Sequence, residues 1–168
     1  HFAESAAPGV SGDQAVNRAR SAGAVCAFTR ETGGVWTQQA YVKASNTDAA
    51  DVFGFSVTLT GDGNPAAVCG NEDSAATGVN GDQADNSAQS AGAVYAFTRD
   101  TGGVWTQQAY VKASNTDADD VFGFSVTLSG DGNTLAVFGN EDSAATGVNG
   151  DQADNSAQQA GAVYVFTR

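Results

Sequence analysis

Residues 122–128, Phe-Gly-Phe-Ser-Val-Thr-Leu, alternate large apolar with small or polar side chains. An extended chain there puts Phe122, Phe124, Val126 and Leu128 on one face, with Gly123, Ser125 and Thr127 on the other. Ser129-Gly130-Asp131-Gly132-Asn133 follows, a dense run of turn formers. Residues 134–138 then read as a second, antiparallel strand. A long polar segment, residues 140–160, contains the turn dipeptide Asn149-Gly150 and leads to a third strand over residues 161–167, rich in Val, Tyr and Phe. The fourth strand of the pattern lies earlier in the chain. After the turn Asp100-Thr101-Gly102-Gly103, residues 104–112 place Trp105, Gln107, Ala109 and Val111 on one face and Thr106, Gln108, Tyr110 and Lys112 on the other. Half-polar alternation of this kind suits an outer strand near solvent. The acidic turn of residues 114–120 closes the unit. No stretch sustains a 3.6-residue period, so every predicted element is a strand.

The pattern recurs every 69 residues: Gly23, Gly92 and Gly161 open the phrases GAVCAFTR, GAVYAFTR and GAVYVFTR. Residues 31–99 and 100–168 differ at eight of 69 positions (Glu31, Ala50, Thr60, Pro65, Ala66, Cys69, Ser90 and Ala96 in the first copy). Repetition on this scale makes each unit a supersecondary module that buries its apolar face only against its neighbours. The expected organisation is a partial repeat over 1–30 (a degenerate loop plus one strand) and repeats over 31–99 and 100–168, with the blade boundaries offset from these. Four antiparallel strands per repeat fit a β-propeller blade better than a solenoid coil. The fold class expected is therefore all-β, in tandem four-stranded blades.

Several segments then resemble a known family. Phe53-Gly54-Phe55-Ser56-Val57 and Phe122-Gly123-Phe124-Ser125-Val126 are similar to the Phe-Gly opening of FG-GAP repeats. Leu135-Ala136-Val137-Phe138-Gly139-Asn140-Glu141-Asp142 stands where that family carries its Gly-Ala-Pro segment. The GAVYVF strand resembles the bacterial branch. The resemblance implies the β-propeller of the integrin α-chain head and of many secreted bacterial proteins, with the Phe-Gly strand nearest the propeller axis. Two departures stand out. The Ala-Pro is replaced by Gly139-Asn140 and Gly70-Asn71. The acidic calcium loop between the first two strands is reduced to Thr60-Gly61-Asp62-Gly63-Asn64 and Ser129-Gly130-Asp131-Gly132-Asn133. One carboxylate does not supply the six to eight oxygens Ca²⁺ takes, so calcium is not expected at that position.

Composition narrows the chemistry. A net charge of −12 from only seven Lys and Arg argues against nucleic acid or anionic lipid as a partner. No apolar run approaches the roughly 20 residues of a membrane-spanning helix, so membrane insertion is not expected. The chain begins at His1 without Met, as expected of a start within a longer precursor or after removal of a leader. Cys26 and Cys69 replace Tyr164 and Phe138 of the third copy; buried thiols or a disulfide are both open readings. His1 is the only histidine, so a Ser-His-Asp or Cys-His nucleophile is not expected and neither is an enzyme. Glu72-Asp73 and Glu141-Asp142 recur once per copy, as scaffold does. No cofactor is expected beyond one candidate reading, calcium in the long loops 71–91 and 140–160. There Asp82, Asp85, Asp151 and Asp154 are the candidate ligand or cation residues. Against that stands the role of Asp and Asn side chains in bonding their own turns. Trp36 and Trp105 offer a glycan or partner surface, or blade packing.

With strands A to D counted from the Phe-Gly segment, the chain reads C-D, A-B-C-D, A-B-C. Unfinished edges invite strands from further copies or from further repeats of a longer chain, although three strands plus two leave one C strand in surplus. The function expected is that of an extracellular or cell-surface structural or adhesive repeat protein that assembles with copies of itself, in a filament or a ring. The alternative is a carbohydrate- or calcium-dependent binding module. Residues 1–22, where the long loop has decayed, are candidates for a cap.

Overall fold

A computed structural model describes Gly9 and residues 18–168. Nine strands appear in chain order: β1 Val25–Arg30, β2 Trp36–Val42, β3 Val57–Leu59, β4 Ala66–Gly70, β5 Ala93–Arg99, β6 Trp105–Val111, β7 Ser125–Leu128, β8 Thr134–Gly139 and β9 Ala162–Thr167. They form three up-and-down antiparallel sheets, β1-β2, β3-β4-β5-β6 and β7-β8-β9. There is no helix among the described residues. These are tandem blades of propeller type, holding two, four and three strands.

The sheets stack face to face because their middle strands are apolar on both sides. Along β4, Ala66 and Val68 join a core shared with Ala40, Val42 and Phe53 of the preceding blade joint, while Ala67 and Cys69 join a second core with Phe122 and Val137. β5 divides likewise, Tyr95 and Phe97 to one core and Val94 to the other. A period of two thus becomes two cores, one on each face of the sheet. Phe53 meets Tyr95 and Phe97 edge-on at 5.3 and 6.2 Å, and Phe122 meets Tyr164 and Phe166 at 5.4 and 6.2 Å. Edge-to-face pairs at these separations add to the area they bury.

Each blade joint closes on a glycine. Gly92 has φ +80, and a Cβ there would lie 2.3 Å from the Phe122 carbonyl oxygen; Gly23 stands in the same relation to Phe53 at 2.2 Å. The phrase GAV repeats because only glycine fits where one blade's backbone crosses the next.

Two expectations from the alternation fail locally. The A strand does not run from Phe122: Val121 and Gly123 have positive φ, so Phe122 turns into the core while Phe124 is half exposed, and the ladder starts at Ser125. In β6 the register slips between Ala96 and Phe97, whose partners are Ala109 and Gln107. Gln108 is the extra residue of this bulge, so Trp105 and Tyr110 enter one core although strict alternation puts them on opposite faces.

Candidate functional site

The most buried polar chemistry lies where the long loops meet the turn of the preceding blade. Glu72 follows β4, Tyr95 lies on β5, and Asn46 comes from the turn after β2. The Tyr95 hydroxyl donates to Glu72 Oε2 at 2.7 Å and lies 2.8 Å from Asn46 Oδ1. Asn46 Nδ2 donates to Glu72 Oε2 at 2.5 Å and to the Gln83 carbonyl at 2.9 Å. The same node recurs 69 residues on: Tyr164 lies 2.5 Å from Glu141 and 2.7 Å from Asn115, and Asn115 Nδ2 donates to Glu141 at 2.7 Å. Burial, then the neighbouring Glu72, pushes the Tyr95 hydroxyl well above its ordinary pKa; burial and the bond to Glu141 raise Tyr164.

Lys112 is fully buried beside this node. Its Nζ donates to the Gly92 carbonyl at 2.6 Å, and Lys43 does the same to Gly23. Burial lowers the Lys112 pKa to about 8, against the opposing pull of Glu72, Asp120, Asp73 and Asp85. Asp51 is pushed up to about 7 and Asp120 to about 6, mainly by burial, although each accepts a backbone N–H, from Asp48 at 2.6 Å and from Asp117 at 2.7 Å. This is the chemistry of a blade joint: ionisable groups buried with hydrogen bonds to backbone, the two aspartates crowded by further carboxylates. Burial pushes the Cys69 thiol up to about 12, away from the thiolate form.

The candidate aspartates sit on the loops and bind backbone. Asp85 accepts from Ala75 N at 2.8 Å and Ser87 N at 3.2 Å, and Asp154 from Ala144 N and Ser156 N at 3.0 and 3.1 Å. Hydrogen bonds from Ser87 and Ser156 come first among the causes that hold both carboxyls below the usual range. Asp82 and Asp151 accept from Ala84 N and Ala153 N at 2.9 Å, and their carbonyls accept the Ser74 and Ser143 hydroxyls at 2.8 Å. Among the described residues, no three His, Cys, Asp or Glu side chains group as a metal site. Asp62, in the shortened hairpin loop, accepts from Thr60 Oγ1 and Asn64 N at 2.6 and 3.0 Å.

Sequence reasoning missed the buried pair of lysines, placing Lys112 on a face near solvent. The signal was there: the chain's only two lysines stand at the same place in successive repeats. Glu72 and Glu141, read as scaffold, are the centres of the two nodes. Trp105 is 7% exposed and lies in the core beneath Arg99, at 5.7 Å, whereas Trp36 is 64% exposed. Cys26, expected to fill a buried aromatic position, is exposed, because no sheet covers the outer face of β1 among the described residues; both thiols are free. His1 and most of the candidate cap over 1–22 lie outside the described residues.

Comparison with known proteins gives one match: residues 105–166 fit the FG-GAP repeat family. No curated protein and no solved structure matches the chain.

Proposed function

We propose that this chain, whose residues 105–166 are an FG-GAP repeat and whose residues 36–97 nearly duplicate them, is a non-enzymatic structural or adhesive module that works outside the cell as an assembly of its own copies. The observation that carries the reading is the shared core: residues 31–99 and 100–168 differ at eight of 69 positions, and the described sheets bury their apolar faces against one another. Near-identical modules of this kind dock on one another's copies. The acidic, lysine-poor surface keeps such an assembly off nucleic acid and anionic lipid. No helix among the described residues is long and apolar enough to cross a membrane.

Negative-stain electron microscopy with light scattering tests this reading. Filaments or closed rings are expected. A monodisperse monomer of 16.9 kDa at all concentrations overturns it.

The exposed Trp36 favours a second reading, a glycan-binding module. Retention on a glycan surface with release by free sugar, lost in Trp36→Ala, is the result that would put it first.

A further inference from the structure

The second and third sheets meet at a corner of the chain. Asp119, Val121 and Gly123 have φ of 66°, 48° and 99°, so residues 119–123 bend sharply before β7. A β-branched residue adopts such a φ only under constraint. The constraint on Val121 is the second sheet, which holds the corner along its length. Asp119 N donates to the Gln89 carbonyl at 2.8 Å, Val121 N to the Ser90 carbonyl at 3.1 Å and Phe122 N to the Ala91 carbonyl at 2.8 Å. Phe122 then enters the core, and Gly123 settles on Cys69. A Cβ on Gly123 would lie 2.9 Å from Cys69 Cβ, 3.0 Å from its Sγ and 3.2 Å from the Ala93 carbonyl oxygen. Cys69 is 1% exposed beneath it.

The contact is tight from both sides. Gly123 has no room for a side chain, and a ring grown from Cys69 Cβ runs into the Gly123 backbone. The third sheet shows what an aromatic residue does at this position. Phe138 stands for Cys69 there, and its ring carbons lie 2.9 and 3.2 Å from where a Cβ on Gly161 would be. Above Gly92, the same place is taken by the Phe122 carbonyl oxygen and amide nitrogen, at 2.3 and 2.5 Å. The ring therefore fills in one sheet the place that the corner fills in the other, and close-packed interiors do not hold both. Behind the seat the volumes match as well. Small Ala67 and Cys69 share a core with Leu135 of the third sheet, where the second sheet carries Ala66.

We propose that Cys69 and Gly92 form a size-selective docking seat, and that its occupant in an assembly is the Phe122-Gly123 corner of a second copy, taken in exchange for the chain's own. The inference rests on the assembly reading above and names the surface at which copies join. The seat's contacts all run between two sheets, so a corner from another copy makes them unchanged. Exchange of an identical element is a low-cost route to association. Phe138 keeps a corner from docking on the third sheet in this manner. Leu135 favours the third sheet's corner over Phe53-Gly54, whose sheet has only Ala66 to place behind the seat. A small residue at position 69 thus accepts a Phe-Gly corner, and Phe refuses it.

Two complementary variants of the 168-residue chain test the seat through the reactivity of Cys69 towards dithionitrobenzoate. In a C26S background Cys69 is the only thiol, and the closed joint is expected to protect it. C26S/G123V keeps the seat and spoils the corner, so its Cys69 is expected to react at least about tenfold faster. C26S/C69F keeps the corner, spoils the seat and carries no thiol. Added to C26S/G123V, it is expected to restore protection saturably and to give a mixed species of twice the mass by light scattering. C69L and G123A, gentler forms of the same two changes, are run beside them, so that a chain that fails to fold does not decide the result. Equal thiol reactivity in the C26S and C26S/G123V chains overturns the seat. Fast reaction that no corner-bearing variant slows overturns the second copy as occupant. Protection in the mixture, with the parent chain a monomer at all concentrations, supports the seat and overturns the assembly reading.

Discussion

The second and third sheets are built from nearly the same residues and differ in their surroundings. In the second, Tyr95 is 1% exposed, packs against Tyr110 in a tilted pair at 5.3 Å, and its node is closed over by β6 and Lys112. In the third, Tyr164 makes the same hydrogen bonds half-buried, beside a groove. Hydrogen bonds within the blade therefore form without the neighbour, and burial comes from it. The loop follows the first rule: residues 140–160 repeat the hydrogen bonds of residues 71–91. The module is locally self-sufficient in its polar framework and dependent on its neighbours for its cores.

Gly92→Ala against Gly161→Ala separates those two contributions most sharply. Both glycines have φ of +80, so the backbone cost is shared. At Gly92 the new Cβ also strikes the Phe122 carbonyl at 2.3 Å and amide nitrogen at 2.5 Å, which are backbone atoms of the next blade. At Gly161 it meets the half-buried Phe138 ring at 2.9 Å, a side chain rather than backbone. Gly92→Ala is expected to destabilise by roughly 3 kcal/mol or more and Gly161→Ala by about 1–2 kcal/mol. Urea titration of both checks it. Equal losses would mean that the joint between sheets adds nothing.

Lys112→Ala against Lys43→Ala applies the same logic to charge. Removing Lys112 leaves buried Glu72 and Asp120 without their cation and the Gly92 carbonyl without its donor. The expected cost is about 3–5 kcal/mol. Lys43 donates to Gly23 and is opposed by Asp51 alone among the resolved charges, so its loss is expected to cost about half as much. Thermal melts of the two variants at one pH settle the order.

Much of this architecture is legible in the sequence. Period-two alternation and Gly-Asp turns place the strands, and the 69-residue repeat counts the blades. The half-polar composition of residues 104–112 marks β6 as an outer strand, which it is. The rest depends on neighbours that a linear pattern does not contain. The bulge at Gln108 reverses the alternation in mid-strand. Phe122 turns inward because Gly123 bends the chain. Lys112 appears polar and is buried, because Gly92 and Glu72 lie 20 and 40 residues away in sequence. The loop carboxylates are legible as oxygen donors in the sequence, but the backbone N–H groups they bind are not.

Acid titration turns the comparison towards the two buried aspartates, Asp51 at the first joint and Asp120 at the second. With folded pKa values of about 7 and about 6 against an ordinary 3.8, each holds a proton in the folded state that the unfolded chain releases. Their contribution to stability is full below pH 4 and is lost as pH rises towards 6 to 7. Lys112 acts in the opposite direction, adding stability as pH rises from about 8 to 10.5. Melting temperature is thus expected to pass through a minimum near pH 7–8. Asp51→Asn, which keeps an oxygen for the Asp48 N–H, is expected to flatten the acid limb more than Asp120→Asn.

The smallest expected effect concerns the loop carboxylates, where the second and third sheets differ least. Asp85 and Asp154 each accept two backbone N–H groups at nearly matching distances. An asparagine keeps one acceptor oxygen, so both substitutions are expected to lower the melting temperature slightly. Asp85→Asn should exceed Asp154→Asn, since Asp85 also faces Lys112. Calcium decides what else these groups do. If they serve only as turn acceptors, neither EDTA nor millimolar Ca²⁺ shifts the melt of the parent chain. A rise with Ca²⁺ that both substitutions abolish would show that the loops bind cation in addition to holding their own fold, because only a ligand that prefers the folded chain raises its melting temperature.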